Sequence, residues 1–401
     1  MTTANDGTEL AAGGFARGTE IMTTSGPVLV EELHAGDTVY ALDLSTSIMK
    51  PKPVTTVTPV RVDDCLVAIE SKRADLRVAP EQRIPYQTKS VSRPRIQPAG
   101  ALEEQSYYKF VNDWQPIGGT RLDTIDITEF LESFEACVET REHGHTFRAA
   151  LPEGCEPCRR NSHVGYFFDA ETFKAFQRQL EALAHDVTVQ AGPNHWRRPY
   201  TFDGDDFIRF VGWYVTEGSL YAGSDRDSIT VQIAQEDATN RESIGALLER
   251  MGIDARRTDR SYRVGSKLFG TLLRNLCGVR SDEKRLPEFV WELDETQQHL
   301  LMDVLMAGDG NDFRTYYTSS DRLASDVLRL VLHLGMKPRY TRRDGMWQIY
   351  LSQQRDGLQP ANHVCARAAK EEVFRVTVED FPVVMAGRNG KYQWVGTSRV
   401  S

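Results

Sequence analysis

Two acids occupy matching places in the sequence, and each is followed by glycine: Glu217-Gly218 and Asp309-Gly310. Each pair closes an apolar run of helical length, starting at Phe207 in one case and at Leu300 in the other. Glycine is an ordinary helix stop, because it tolerates the left-handed conformation. The acid before it is unusual. A carboxylate at a helix C-terminus faces the negative end of the macrodipole, at a cost of a few tenths to about 1 kcal/mol. Gly212 in one run and Ala307-Gly308 in the other would let the two helices pack closely. Both acids would then meet, and like-charge repulsion would add a second penalty. A divalent cation offsets both costs. Carboxylate oxygens are hard ligands suited to Mg²⁺ (or Mn²⁺), and paired carboxylates around metal can activate water for phosphodiester hydrolysis. One such dipeptide alone reads as a capped helix end, whereas two in register point to a metal site.

The register comes from an internal repeat. The first copy runs from Phe207 to Gly218, through the alternating strand Thr230-Val231-Gln232-Ile233-Ala234-Gln235, to Leu247-Leu248-Glu249-Arg250-Met251-Gly252. It ends in a basic cluster, Arg256, Arg257, Arg260 and Arg263. The second copy runs from Leu300 to Gly310, through Tyr316-Tyr317-Thr318-Ser319, to Leu332-His333-Leu334-Gly335. Its basic cluster is Lys337, Arg339, Arg342 and Arg343. The net charge of −9 argues at first against a nucleic-acid partner. Binding needs a local basic face rather than a basic protein, and these clusters supply candidates.

The two runs resemble the paired motifs of a single-chain LAGLIDADG homing endonuclease, Phe207–Gly218 as the first and Leu300–Gly310 as the second. The resemblance implies a pseudo-twofold αββαββα fold whose sheets form a saddle over double-stranded DNA with a long asymmetric site. It implies Glu217 and Asp309 as metal-binding acids, with Gly218 and Gly310 beside them, and action as a monomer. Lys284-Arg285-Leu286-Pro287 is similar to a box preceding the second helix in intein endonucleases, which makes Lys284 the candidate basic catalytic residue. Lys337 is the nearest counterpart in the other half. Amides and guanidiniums on strands read base edges in the major groove. Candidates for DNA contact are Gln232, Gln235, Arg256, Arg257, Arg263, Arg314, Tyr316, Arg339, Arg342 and Arg343, together with Gln348 and Gln353.

Both ends of the chain read as β. Phe15-Ala16-Arg17-Gly18-Thr19, with Gly36-Asp37-Thr38-Val39, resembles the start of an intein (Hint) domain, Leu76–Gln82 its second block, and Val373–Thr397 its closing blocks. The resemblance places Gly14 at the splicing nucleophile, Ala79 and Gln82 at its Thr and His, Arg375 and Pro382 at the late-block catalytic positions, and Thr397 at the terminal Asn. None of these can do the corresponding chemistry. The expected fold is therefore α/β (α+β): a LAGLIDADG domain inserted in an all-β Hint domain that has lost splicing. Expected limits are a leader 1–13, Hint 14–105, an insert 106–199 that is a possible DNA-recognition region, endonuclease 200–365 (repeats about 203–280 and 284–357), and Hint 366–401.

Cys155-Glu156-Pro157-Cys158 has the spacing of a zinc knuckle, and Cys137, His143, His145 or His163 could complete a Zn²⁺ tetrahedron. The blander reading is a turn with two reduced cysteines. The start, MTTANDGTEL, has neither a basic beginning nor an apolar core, no stretch is long and apolar enough to span a bilayer, and six cysteines make no disulfide framework, so a cytoplasmic protein with no membrane span is expected. Two other readings remain open: a self-processing intein, and a DNA-binding protein without nuclease activity.

Overall fold

A computed structural model describes residues 13–88, 93–104, 107–115, 119–223, 228–351 and 357–398. Gln353 and residues 1–12 of the leader lie outside the described residues. The chain divides into two compact units, residues 1–118 with 311–401, and residues 119–310. The stretch 200–365, expected as one domain, is thus shared between them. No helix among the described residues is long and apolar enough to cross a membrane.

In the first unit the strand-forming ends of the sequence pair with each other. The long strand Ile48–Val62 lies antiparallel to Glu371–Val378, near the other end of the chain. Phe15–Ala16 is held between Glu371–Val378 and Asp75–Val78. These strands belong to an 11-stranded sheet. Apolar runs such as Val39–Leu42 are fully buried within it.

The same unit carries the latter part of the second repeat. Its three-stranded sheet orders Thr315–Thr318, Met346–Tyr350 and Tyr340–Arg343, and the helix Asp321–His333 belongs to the same unit. This sheet is bonded to the β scaffold. Tyr340 donates its backbone N–H to the Gly390 carbonyl at 3.0 Å and its hydroxyl to Glu20 Oε1 at 2.6 Å. The Lys337 ammonium donates to Gln393 Oε1. That bond commits Lys337 to the scaffold.

The helix is anchored by a buried polar chain. Arg329 donates to the Thr24 carbonyl at 2.9 Å and, through Nε, to the Tyr40 hydroxyl, which lies 2.8 Å from His333 Nε2. With its oxygen accepting from Arg329, Tyr40 donates to His333. Burial, with the Arg329 charge beside it, pulls His333 down to about 3. The unfolded chain takes up this proton near pH 6.5, whereas the folded chain resists it until about pH 3. The contribution of neutral His333 is thus complete above about pH 6.5 and is lost progressively as pH falls toward 3. Urea unfolding should show His333→Gln losing about 2–3 kcal/mol less than wild type between about pH 7 and pH 4. Equal losses would mean that His333 does not set the acid limit.

The second unit includes a four-stranded sheet ordered Arg159–Asn161, Gly165–Asp169, Glu135–Glu139, Asp186–Gln190. The helix Ala170–Leu183 covers it with Phe173 and Leu180. The same unit holds the helix Gly204–Glu217, a second four-stranded sheet, the helices Ala238–Arg250 and Lys267–Cys277, and the helix Glu295–Asp309. Asp203 and Asp294 cap the two acid-bearing helices by accepting from the N–H of Asp206 and Gln297.

Candidate active site at two helix ends

The two acid-bearing helices pack against each other over small residues. A Cβ on Gly212 would lie 2.7 Å from Val304 Cγ1, and one on Gly308 would lie 2.5 Å from Thr216 Cβ. Only glycine permits this approach. The glycines after the acids serve a different purpose from the expected left-handed stop. Gly218 (φ −88°, ψ 144°) and Gly310 (φ −95°, ψ 171°) are extended. A Cβ there would strike the preceding turn, at Tyr214 Cα (2.7 Å) and Met306 Cα (2.8 Å) respectively. Both helices therefore end in the same sharp exit, and each terminates at its acid.

Electrostatics tie the two ends together. Burial pushes the Glu217 carboxyl up to about 7, the Asp309 charge adds to the rise, and a hydrogen bond from Gln235 opposes it. Burial likewise lifts Asp309 to about 6 against the pull of Lys284. Lys284 is only 3% exposed. Its ammonium donates to the Tyr214 carbonyl at 2.8 Å and lies 3.4 Å from the centre of the Tyr214 ring. Burial lowers it to about 8, opposed by Cys277 and Asp309. Two half-buried acids and a buried lysine thus share one locality.

Two further residues support this pair in roles that the sequence did not show. Gln235, expected as a base reader, is buried and donates to Glu217 Oε1 at 2.9 Å. Its amide orients the acid and is not presented to a groove. Asn240 braces the other helix end by donating to the Ala307 carbonyl at 3.0 Å.

Strand register sorts the remaining candidates. In the second unit Gln232 lies opposite Ser219 on one side and Arg263 on the other, and Arg263 opposite Arg256. Side chains alternate across a sheet, so these four form one polar row. Arg263 donates to Gln232 Oε1 at 2.9 Å, within that row. Arg257 faces the other way, beside buried Tyr262. In the first unit Gln348 lies between Tyr317 and Thr341, with Arg343 on the same face. Arg339 stacks over Tyr350, also on that face. Arg342 is on the opposite face, over Trp347 and 2.8 Å from Asp321. Tyr316 is fully buried and contributes to the core instead of to base reading. Arg314 occupies a turn with φ 56°, exposed beside the sheet.

The zinc tetrahedron is not assembled. Cys137 is buried beside Arg197, the Cys158 thiol donates to the Phe167 carbonyl, and the His163 N–H donates to Asn161 Oδ1. His143 caps a helix, its ring accepting from the N–H of His145. Burial raises the thiols of Cys137, Cys155 and Cys158, which opposes the thiolate that zinc requires. Among the described residues no three His, Cys, Asp or Glu side chains gather to hold a metal.

Most of the positions singled out by the intein resemblance lie close together. The Gly14 carbonyl accepts from the Ala79 N–H at 2.9 Å, and the Gln82 amide donates to the Gly396 carbonyl. Thr397 donates its N–H to the Pro382 carbonyl at 2.8 Å. Arg375 sits on the strand opposite Thr58. No nucleophile is present at position 14, and Val373 fills its place: a Cβ there would lie 2.7 Å from Val373 Cγ2. Gly14→Cys is therefore expected to cost about 1–3 kcal/mol by overpacking. Adding Val373→Ala should recover part of it in thermal melts. No cost on Gly14→Cys would show that the site still has room for a nucleophile.

No family model matches the chain. It is 24% identical to a DNA polymerase of Thermococcus hydrothermalis over 165 residues, 39% of this chain and 10% of that protein. It is 26% identical to a DNA gyrase subunit of Mycobacterium gordonae over 179 residues, 41% of this chain and 32% of that protein. With an ATP-dependent Clp protease proteolytic subunit of Chlamydomonas moewusii it shares 32% identity over 93 residues, 22% of this chain and 9% of that protein. The chain thus spans about a tenth of the polymerase and a third or less of the others. Among solved structures, it is similar to a bacterial intein-like domain from Clostridium thermocellum, at 22% identity and a TM-score of 0.22, covering 25% of this chain and 66% of that one. It is also similar to an Ssp DnaB mini-intein, at 12% identity and a TM-score of 0.20, covering 26% and 63%.

Proposed function

We propose that this chain is a site-specific, divalent-metal-dependent double-strand DNA endonuclease of the homing type, carried on an intein-derived β scaffold that no longer splices. The observation that carries this reading is the shared locality of Glu217, Asp309 and Lys284 at two close-packed helix ends. Two hard carboxylates, both lifted by burial, form a donor set that fits Mg²⁺ or Mn²⁺. Such an ion completes its shell with water and phosphate oxygens rather than a protein cage. The chemistry it supplies there is polarisation of a phosphoryl oxygen and a lowered pKa for water. Glu217 and Asp309 would hold it, Gln235 orients Glu217, and Lys284 provides a positive charge beside Asp309 below about pH 8. The rows around Gln232 and Gln348 supply amide and guanidinium groups of the kind that read base edges.

The similarities support an inserted origin. Three proteins of unrelated name each match a part of this chain, over 32% or less of their own length. Matches confined to a fraction of such different proteins are what an inserted, mobile element would leave. The self-processing alternative needs a nucleophile where Gly14 stands, and Val373 closes that space.

The test is a plasmid library carrying the DNA that flanks the chain's own coding sequence, incubated with the full chain and Mg²⁺. Discrete double-strand cuts that EDTA abolishes are expected, and the protein should keep its full-length mass. A protein that cleaves itself and leaves the library intact would overturn the reading in favour of autoprocessing.

A further inference from the structure

Outside the acid pair, a cleft of about 370 Å³ opens in the second unit. Its walls include Asn194, His195, Trp196, Thr230, Ser266 and Lys267. Trp196 is the unusual member, because an indole is rarely left 80% exposed. Its loop is pinned. Val189 and Arg198 exchange backbone hydrogen bonds at 2.8 Å across the base, and Arg197 pairs with Glu139. Gly192, at φ 138°, turns the chain within it. A fixed loop thus presents an aromatic ring to solvent beside an ammonium, an imidazole and an amide.

The cleft begins where the polar sheet row ends. Thr230 lies two residues from Gln232 and so shares its face, opposite Tyr221 and Gly265. Tyr221 is 53% exposed on that same face. Arg256, Arg263, Gln232, Tyr221 and Thr230 therefore lead along one sheet face to Trp196 and Lys267.

We propose that this cleft is a second DNA-contact site, taking the sugar–phosphate backbone of duplex that continues past the sheet face. Lys267 pairs with a phosphate, His195 and Asn194 donate hydrogen bonds, and the Trp196 ring packs on the adjoining sugar or base. The site rests on the DNA-cutting reading and extends it to a named flanking contact.

The test uses the full chain and a fluorescent duplex of arbitrary sequence, with anisotropy measured across a salt series. Lys267→Glu should weaken binding and flatten the logarithmic salt dependence by about one phosphate contact. Trp196→Ala should weaken binding about tenfold at every salt concentration, and Trp196→Phe should restore most of the loss. Thermal melts should be unchanged for both Trp196 variants, and circular dichroism should show Lys267→Glu folded. If wild type binds the duplex and the variants match it in affinity and slope, the cleft is overturned while the nuclease reading stands. If wild type binds no duplex even at low salt, the nuclease reading fails and the cleft proposal fails with it.

Discussion

Glu217→Gln and Asp309→Asn are each expected to reduce Mg²⁺-dependent cleavage by about 10³-fold or more while making the metal-free protein more stable. Charge stabilisation at a catalytic ion is worth several kcal/mol, and each ~1.36 kcal/mol is tenfold in rate. The gain in stability follows from the shifts at the two helix ends. Both carboxyls hold protons more tightly when folded, with Glu217 raised to about 7 and Asp309 to about 6. Between about pH 4 and pH 7 the folded protein therefore carries more protons than the unfolded chain, and stability falls as pH rises. Both groups are only partly buried, so solvent screening reduces the loss to about 1–2 kcal/mol for the pair. A neutral amide avoids it, and each variant should melt above wild type at about pH 8 in EDTA. Added Mg²⁺ should reverse the order by stabilising wild type alone. Lost cleavage together with gained stability cannot come from unfolding. Variants that melt lower in EDTA and still cut DNA would remove the acid pair as the metal site.

The sequence made the acids and their small-residue helices legible because a repeated helix-to-glycine pattern is local. It misled on the glycines themselves. Gly218 and Gly310 are extended, and what requires glycine there is the collision of a Cβ with the turn before it. Gln235 looked like another strand residue at alternating spacing. It sits just past the strand Ile229–Ala234, where the chain turns inward toward Glu217. The arginine clusters were visible, but which arginines share a face depends on strand register. Register separates Arg256 from Arg257 and Arg343 from Arg342. Tyr316 shows the same limit, since an aromatic residue on a short strand suits a core and a groove equally well. The division of the chain into units was illegible for another reason. Bonds such as Tyr340 to Glu20 join residues 320 positions apart.

Lys284→Met should lower cleavage about 100-fold at about pH 7 and change the shape of the pH profile, with little effect on DNA affinity. In wild type the ammonium is held by the Tyr214 carbonyl and ring, and burial brings it down to about 8. Activity that depends on its charge must decline as pH rises through about 8, which gives the profile a basic limb. A methionine side chain at this position cannot titrate, so that limb should vanish. The acidic limb should move the other way. Lys284 is the charge that opposes the rise of Asp309, so without it Asp309 binds its proton more tightly and becomes available only at higher pH. The deficit should therefore be larger at about pH 6.5 than at about pH 8.5, where wild type has itself lost part of its ammonium charge. The Tyr214 carbonyl keeps the Gly218 N–H as a partner, so the helix end survives the substitution. Circular dichroism and DNA anisotropy should match wild type. A uniform loss at every pH, accompanied by weaker DNA binding, would make Lys284 a structural strut and return the chemistry to the two acids alone.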